Sequence, residues 1–100
     1  MPVQVDVEAR AIAMLEEADR YWSRGAAREN PLVDQFWALV DRLADFPELG
    51  QRRPLWWGRP PFRRCVLRCG WTVFYEYPSV AGTVKIVAVW HSARGGRPPI

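Results

Sequence analysis

Apolar residues recur along this chain in two rhythms, a helical one in the first half and a strand rhythm in the second. Val3, Val5 and Val7 alternate with polar residues, which predicts a short strand at a sheet edge. From about Glu8 the step lengthens. Ala11, Ile12, Leu15, Ala18 and Trp22 recur every three or four residues, with Glu16, Glu17, Asp19 and Arg20 on the other side, and Gly25 closes the run. An amphipathic helix is expected there. Glu29-Asn30-Pro31 reads as a second helix start, with Asn30 as N-cap and Pro31 at the first helical position, where its missing N–H is not needed. The expected apolar stripe of this helix is Val33, Phe36, Val40, Leu43 and Ala44. It must stop near Phe46, because Pro47 keeps the residue before it out of α geometry, and Pro47-Glu48-Leu49-Gly50 turns the chain away.

Residues 51–61 hold three prolines and a glycine with no usable period, so they read as a loop carrying Arg52, Arg53, Arg59, Trp56 and Trp57. Three strand-like runs follow: Phe62 to Arg68, Trp71 to Tyr77 and Thr83 to Trp90. Cys69-Gly70 suits the tight turn of a hairpin, and Pro78 to Gly82 a longer hairpin loop. Alternation on the first run puts Cys65, Leu67 and Cys69 on the core face and Arg64, Val66 and Arg68 on the other. On the last run Val84, Ile86, Ala88 and Trp90 are expected to face the core. Val87, Val89 and His91 would then emerge on the same side as Arg64. The expected architecture is α+β: a two-helix antiparallel hairpin packed on a small, mainly antiparallel four-stranded sheet, in the order β-α-α-β-β-β, as one domain over residues 1–100.

Charge changes this picture by giving the two halves opposite characters. Residues 1–50 hold ten Asp/Glu against five Arg, and residues 51–100 hold nine Arg/Lys against Glu76 alone, so the halves carry −5 and +8. The second half is therefore expected to present a surface to something anionic, a phosphate backbone or an acidic protein segment. The interleaving of arginines with Trp56 and Trp57 would also suit stacking on bases. At 49% hydrophobic, the chain has enough apolar residues to fold. It has no run near the roughly 18 to 20 apolar residues of a membrane span, and MPVQVDVEAR lacks the pattern of a signal peptide. Cytoplasm is the expected location. Cys65 and Cys69 on one strand would lie roughly 13 Å apart, beyond the about 7 Å a disulfide allows. With a single histidine, the chain supplies too few ligands for zinc, so half-buried thiols and no cofactor are expected.

Two helices followed by Phe46-Pro47-Glu48-Leu49-Gly50, Arg63-Arg64-Cys65-Val66-Leu67, Trp71-Thr72-Val73-Phe74-Tyr75-Glu76-Tyr77 and Val84-Lys85-Ile86-Val87-Ala88-Val89-Trp90-His91-Ser92-Ala93-Arg94 resemble the RelE/ParE superfamily of type II toxin–antitoxin toxins. Each piece occurs widely. Their order and the Val-Trp-His-x-x-Arg strand ending carry the resemblance over nearly the whole chain. It implies a cytoplasmic growth inhibitor of the kind tied to plasmid stabilisation, held in a hetero-oligomer by a cognate antitoxin whose flexible segment wraps it. It implies one of two targets, DNA gyrase for ParE-like members or the ribosome and its mRNA for RelE-like ones. Fold does not decide between them.

For RNA cleavage the resemblance implies Arg64 against phosphate, His91 as catalytic histidine at the strand end, Arg94 as a second phosphate contact and Glu48 as a weak candidate base. Attack by a ribose 2′-hydroxyl needs such a base, an acid and positive charge on the phosphorane. Ribosomal nucleases of the family also tend to carry lysine-rich surfaces and a catalytic Tyr or Arg after the last strand. Here Lys85 is the sole lysine and the last residues are Arg97-Pro98-Pro99-Ile100. Gyrase poisoning asks for no catalytic side chains, only a docking surface; whichever the target, Arg52, Arg53, Arg59, Arg63, Arg68, Trp56 and Trp57 are the candidate binding residues. A non-toxic basic nucleic-acid-binding module is the alternative, although both helices are acidic and so ill suited to reading a groove.

Overall fold

In a computed structural model of the protein, residues 2–25, 31–52 and 62–91 are described, with side chains of the first helix described as far as Arg20. The elements are β1 (Val5–Val7), α1 (Ala9–Gly25), α2 (Pro31–Asp45), β2 (Gln51–Arg52), β3 (Arg63–Val66), β4 (Trp71–Glu76) and β5 (Val84–His91). They form one sheet in the order β1-β5-β4-β3-β2, with β1 parallel to β5 and the other pairs antiparallel. Both helices and the mainly antiparallel sheet follow the hydrophobic rhythm. The sheet has five strands rather than four, because Gln51 and Arg52 leave the expected loop and pair with Arg64 and Arg63. Two residues are too few to show a period, so this strand has no signature in the pattern. The proposed cap Asn30 lies outside the described residues.

The core lies between the helices and one sheet face. Ala11, Leu15 and Ala18 of α1 meet Leu32, Phe36, Leu39 and Leu43 of α2, and these cover Val73, Tyr75, Val84, Ile86 and Val89. In α2 the buried stripe is rotated from the expected one, with Val33 and Val40 at its flank. Apolar residues occupy more than one stripe of this helix, and periodicity alone does not select its centre. Cys65, Leu67 and Cys69 pack against the core as expected, and Val66 stays 63% exposed. A second cluster, Phe62, Phe74, Val87 and Ala88 with Trp90 and Met14, completes the interior.

One extra residue in β5 alters which face its C-terminal part presents. Phe74 pairs with Ala88, yet the next residue, Tyr75, pairs with Ile86, so Val87 is inserted as a β-bulge. Alternation therefore restarts. Val84 and Ile86 face the helices as expected, but Val89 follows them into that core, while Ala88 and Trp90 belong to the second cluster. The expected set Val84, Ile86, Ala88 and Trp90 is correct only as far as Ile86.

The turn after α2 is fastened to the sheet by Tyr75, whose side chain is fully buried. Its hydroxyl donates to the Pro47 carbonyl at 2.9 Å and accepts the Gly50 N–H at 2.7 Å. Arg63 adds its guanidinium, with Nη1 donating to the carbonyls of Glu48 at 3.3 Å and Gly50 at 3.1 Å. Glycine is required at position 50 because a Cβ there would stand 2.7 Å from the Tyr75 ring and 3.0 Å from the Arg64 carbonyl. At the opposite edge Glu8 joins β1 to β5: its carboxylate accepts from Lys85 Nζ and Arg10 Nη2, each at 3.0 Å. Burial opposes the charge of Glu8, but the hydrogen bonds from Lys85 and Arg10 outweigh it and hold its pKa below the ordinary value.

Tyr75→Phe is expected to lower unfolding free energy by about 1–3 kcal/mol, because it strips the partner from a buried N–H and a carbonyl together. Gly50→Ala should cost about 1–3 kcal/mol through overpacking against the same ring. Urea unfolding of each variant checks both, and an unchanged midpoint for Tyr75→Phe would refute the clamp. Because the folded pKa of Glu8 is depressed, its stabilisation is present above the unfolded carboxylate value of about 4.3 and disappears as pH falls through the folded value. Thermal unfolding of Glu8→Gln against the parent should therefore show a gap at pH 7 that closes on acidification below that value.

Candidate functional site

Positive charge collects around β3, and the register dictates how. Arg63 lies opposite Arg52 across the β2–β3 pair, two like charges that would repel if both heads stayed in place. Arg63 avoids this by turning onto the Glu48 and Gly50 carbonyls. That bonding gives Arg63 a structural role besides the anion contact expected of it. Arg64 is paired with Gln51 and its guanidinium donates to the Gln51 Oε1 at 3.3 and 3.4 Å. Arg52 and Arg68 are exposed.

Beyond Arg64 the outer edge of β3 faces a groove of about 530 Å³ whose other wall is α2. Leu39, Leu49, Cys65 and Leu67 line it, and Arg42, Arg64 and Arg68 stand around them. Gln35 also lines the groove, and its Oε1 accepts the Cys69 N–H at 3.0 Å. Burial raises the Cys65 pKa, and the positive charge of Arg42 offsets part of that rise. Arg42 was absent from the residues singled out by sequence because it belongs to the acidic half and to the last turn of a helix, where a cation is explained by the helix dipole. Only the packing of α2 beside β3 joins it to the arginines of the second half.

The residues assigned to RNA cleavage are not brought together. Arg64 pairs with Phe74, whereas His91 pairs with Trp71. Paired residues share a face, and Trp71 and Phe74 lie on opposite faces of β4. Arg64 and His91 thus emerge on opposite sides of the sheet, which corrects the expectation that they share one. The bulge at Val87 is the cause. His91 packs edge-on against the Trp71 ring, with centroids 4.9 Å apart and planes at 76°. Glu48 is exposed in the turn held by Tyr75. Tyr75 and Trp71 are separated along β4 by roughly 13 Å, so Glu48 and His91 belong to opposite ends of the strand. Arg94, Arg53, Arg59, Trp56 and Trp57 lie outside the described residues.

Cys65 and Cys69 are half-buried thiols. Among the described residues no cluster of His, Cys, Asp or Glu is suited to a metal ion, and no helix is long and apolar enough to cross a membrane.

Two helices over a five-stranded, mainly antiparallel sheet agree with the fold expected of the RelE/ParE superfamily. Residues 5–95 match the family described as "ParE toxin of type II toxin-antitoxin system, parDE", and the chain belongs to that family. A search of curated proteins returned no match. Membership makes the chain the toxin component of a type II system and gives it a cognate antitoxin as partner.

Arg42→Gln should raise the Cys65 pKa further and slow its alkylation by iodoacetamide near pH 8, since the thiolate is the nucleophile. Trypsin cleaves at Arg68, between the two cysteines, so mass spectrometry reads Cys65 separately. An unchanged rate at Cys65 would remove Arg42 from its surroundings.

Proposed function

We propose that the protein is a cytoplasmic growth-inhibiting toxin that acts in the ParE manner, by docking on DNA gyrase and poisoning it, rather than by cutting mRNA on the ribosome. The observation that carries this reading is the separation of Arg64 from His91 by the sheet itself. A ribonuclease must bring a base, an acid and a phosphate-binding cation to one phosphodiester, within hydrogen-bond reach of the reacting atoms. Arg64 and His91 on opposite faces do not converge on one such group, and Glu48 is at the far end of β4. Docking on a protein target has no such requirement. It is served by an arginine-rich sheet edge beside exposed apolar residues such as Val66 and Leu49.

Induction of the protein in a bacterial host tests this directly, with amino-acid incorporation and the SOS response followed over the first minutes. Early SOS induction with translation still running is expected, and His91→Ala should keep its toxicity. An immediate stop in translation accompanied by cleaved mRNA, abolished by His91→Ala, would replace this reading with ribosome-dependent cleavage.

A further inference from the structure

The hairpin that joins β4 to β5 ends in an apolar apex held in a polar frame. Its backbone is fastened twice, by the Ser79 N–H on the Thr83 carbonyl and by the Gly82 N–H on the Ser79 carbonyl, each at 2.9 Å. Side chains repeat the connection. The Thr83 N–H donates to the Ser79 Oγ at 3.2 Å, and the two hydroxyl oxygens are 3.0 Å apart. Thr83 Oγ1 then donates to the Asp6 Oδ2 at 3.4 Å, so β1 braces the loop. Gly82, at φ 75°, supplies the left-handed residue that closes the turn. Between these fastenings stand Val80 and Ala81, both exposed, and neither carries a polar group. A lone exposed valine is ordinary. At the tip of so fully bonded a loop it is ready for contact, because little of the loop's freedom is left to lose on binding.

The surroundings decide what kind of partner fits. At the base of the hairpin Lys85 lies between Asp6 and Glu76 in the strand register. Lys85 and Arg10 are both bound to Glu8 at 3.0 Å, so three carboxylates stand against two cations that share one of them. The last turn of α2 arrives at the same end of the sheet. Val3 donates to the Ala44 carbonyl, Val84 to the Gln4 carbonyl and the Tyr75 hydroxyl to the Pro47 carbonyl. Exposed Phe46 repeats the combination there, with Asp45 and Glu48 against Arg42. Nucleic acid, an anionic lipid surface and a second copy of this end all carry negative charge and are repelled by the hairpin's base. An apolar pocket rimmed by cations, on another protein, is complementary to it, and an enzyme that handles DNA carries cations to meet phosphate.

We infer that the β4–β5 hairpin fastens the toxin to its target: Val80 enters an apolar pocket of the gyrase, and Asp6 and Glu76 pair with cations on the rim of that pocket. The inference rests on the gyrase reading above, and adds to it a contact opposite in charge to the arginine-rich edge of β3. A small buried apolar centre supplies affinity, and the charged rim supplies orientation and association rate.

The test titrates full-length toxin and its variants onto purified immobilised gyrase, with and without bound DNA, and follows binding by surface plasmon resonance. Val80→Asp should bind at least roughly tenfold more weakly than the parent. Its thermal unfolding should be unchanged, because the side chain is in solvent. In the host the same variant should lose early SOS induction. Asp6→Asn/Glu76→Gln keeps the polar shape and removes the charge. This pair should slow association at low salt and flatten its dependence on ionic strength. Binding of Val80→Asp equal to that of the parent, or an association rate and salt dependence unchanged in the charge-neutral pair, would overturn the inference and leave the gyrase reading standing. A parent toxin that does not bind gyrase in either form would remove that reading and the inference with it.

Discussion

The phenol of Tyr75 ties the helical layer to the sheet at the point where the chain passes from one to the other. Its ring is in the core and its hydroxyl is the shared partner of the Pro47 carbonyl and the Gly50 N–H. Both backbone groups belong to a turn that would otherwise have to satisfy them with water. With the turn held there, the chain leaves it alongside β3, so Gln51 and Arg52 pair with Arg64 and Arg63. The same placement brings Leu49 over the end of α2 and forms the wall of the groove. Fold and candidate interface thus depend on one buried hydrogen-bonding group and on the absence of a side chain at Gly50.

Much of this fold was legible in the sequence because the amphipathic elements are long enough to show their period. Seventeen residues of α1 and fifteen of α2 each expose several repeats of the apolar step, and β4 and β5 are bounded by turn residues. What escaped reading is short or non-local. β2 is two residues whose pairing depends on the Tyr75 clamp, 25 positions away from Gly50 in the chain. The bulge at Val87 leaves no mark in Val84-Lys85-Ile86-Val87-Ala88-Val89-Trp90, since an apolar run tolerates either phase. A single unbroken alternation puts Val84, Ile86, Ala88 and Trp90 on one face, whereas the bulge breaks that alternation after Ile86.

The candidate site was legible in its charge and not in its geometry. Counting arginines placed the basic surface in the second half, and Arg64 and Arg68 do border the groove. Counting could not assign Arg63 to the turn carbonyls, nor recruit Arg42 from the acidic half. Both depend on which helix lies beside which strand. The acidity of the first half has a separate use at the other end of the sheet, where Glu8 holds Lys85 and Arg10. Opposite edges of one sheet are in this way finished by opposite means, one closed by a carboxylate and one bordered by guanidinium groups.

The single inserted residue in β5 also bears on how a scaffold of this kind changes occupation. Everything before Val87 is pinned by pairing with β1 and by the core, while everything after it inherits a phase that one residue sets. Losing that residue would rotate the strand's tail by half a turn, taking Val89 out of the helix-facing core and bringing Trp90 toward it, while His91 would move to the face of Arg64. Such a scaffold carries a length-coded selector: identical side chains, offered to one surface or the other by a change that is invisible in composition. The surface that His91 serves is thus set by the length of the strand and not by the identity of any side chain.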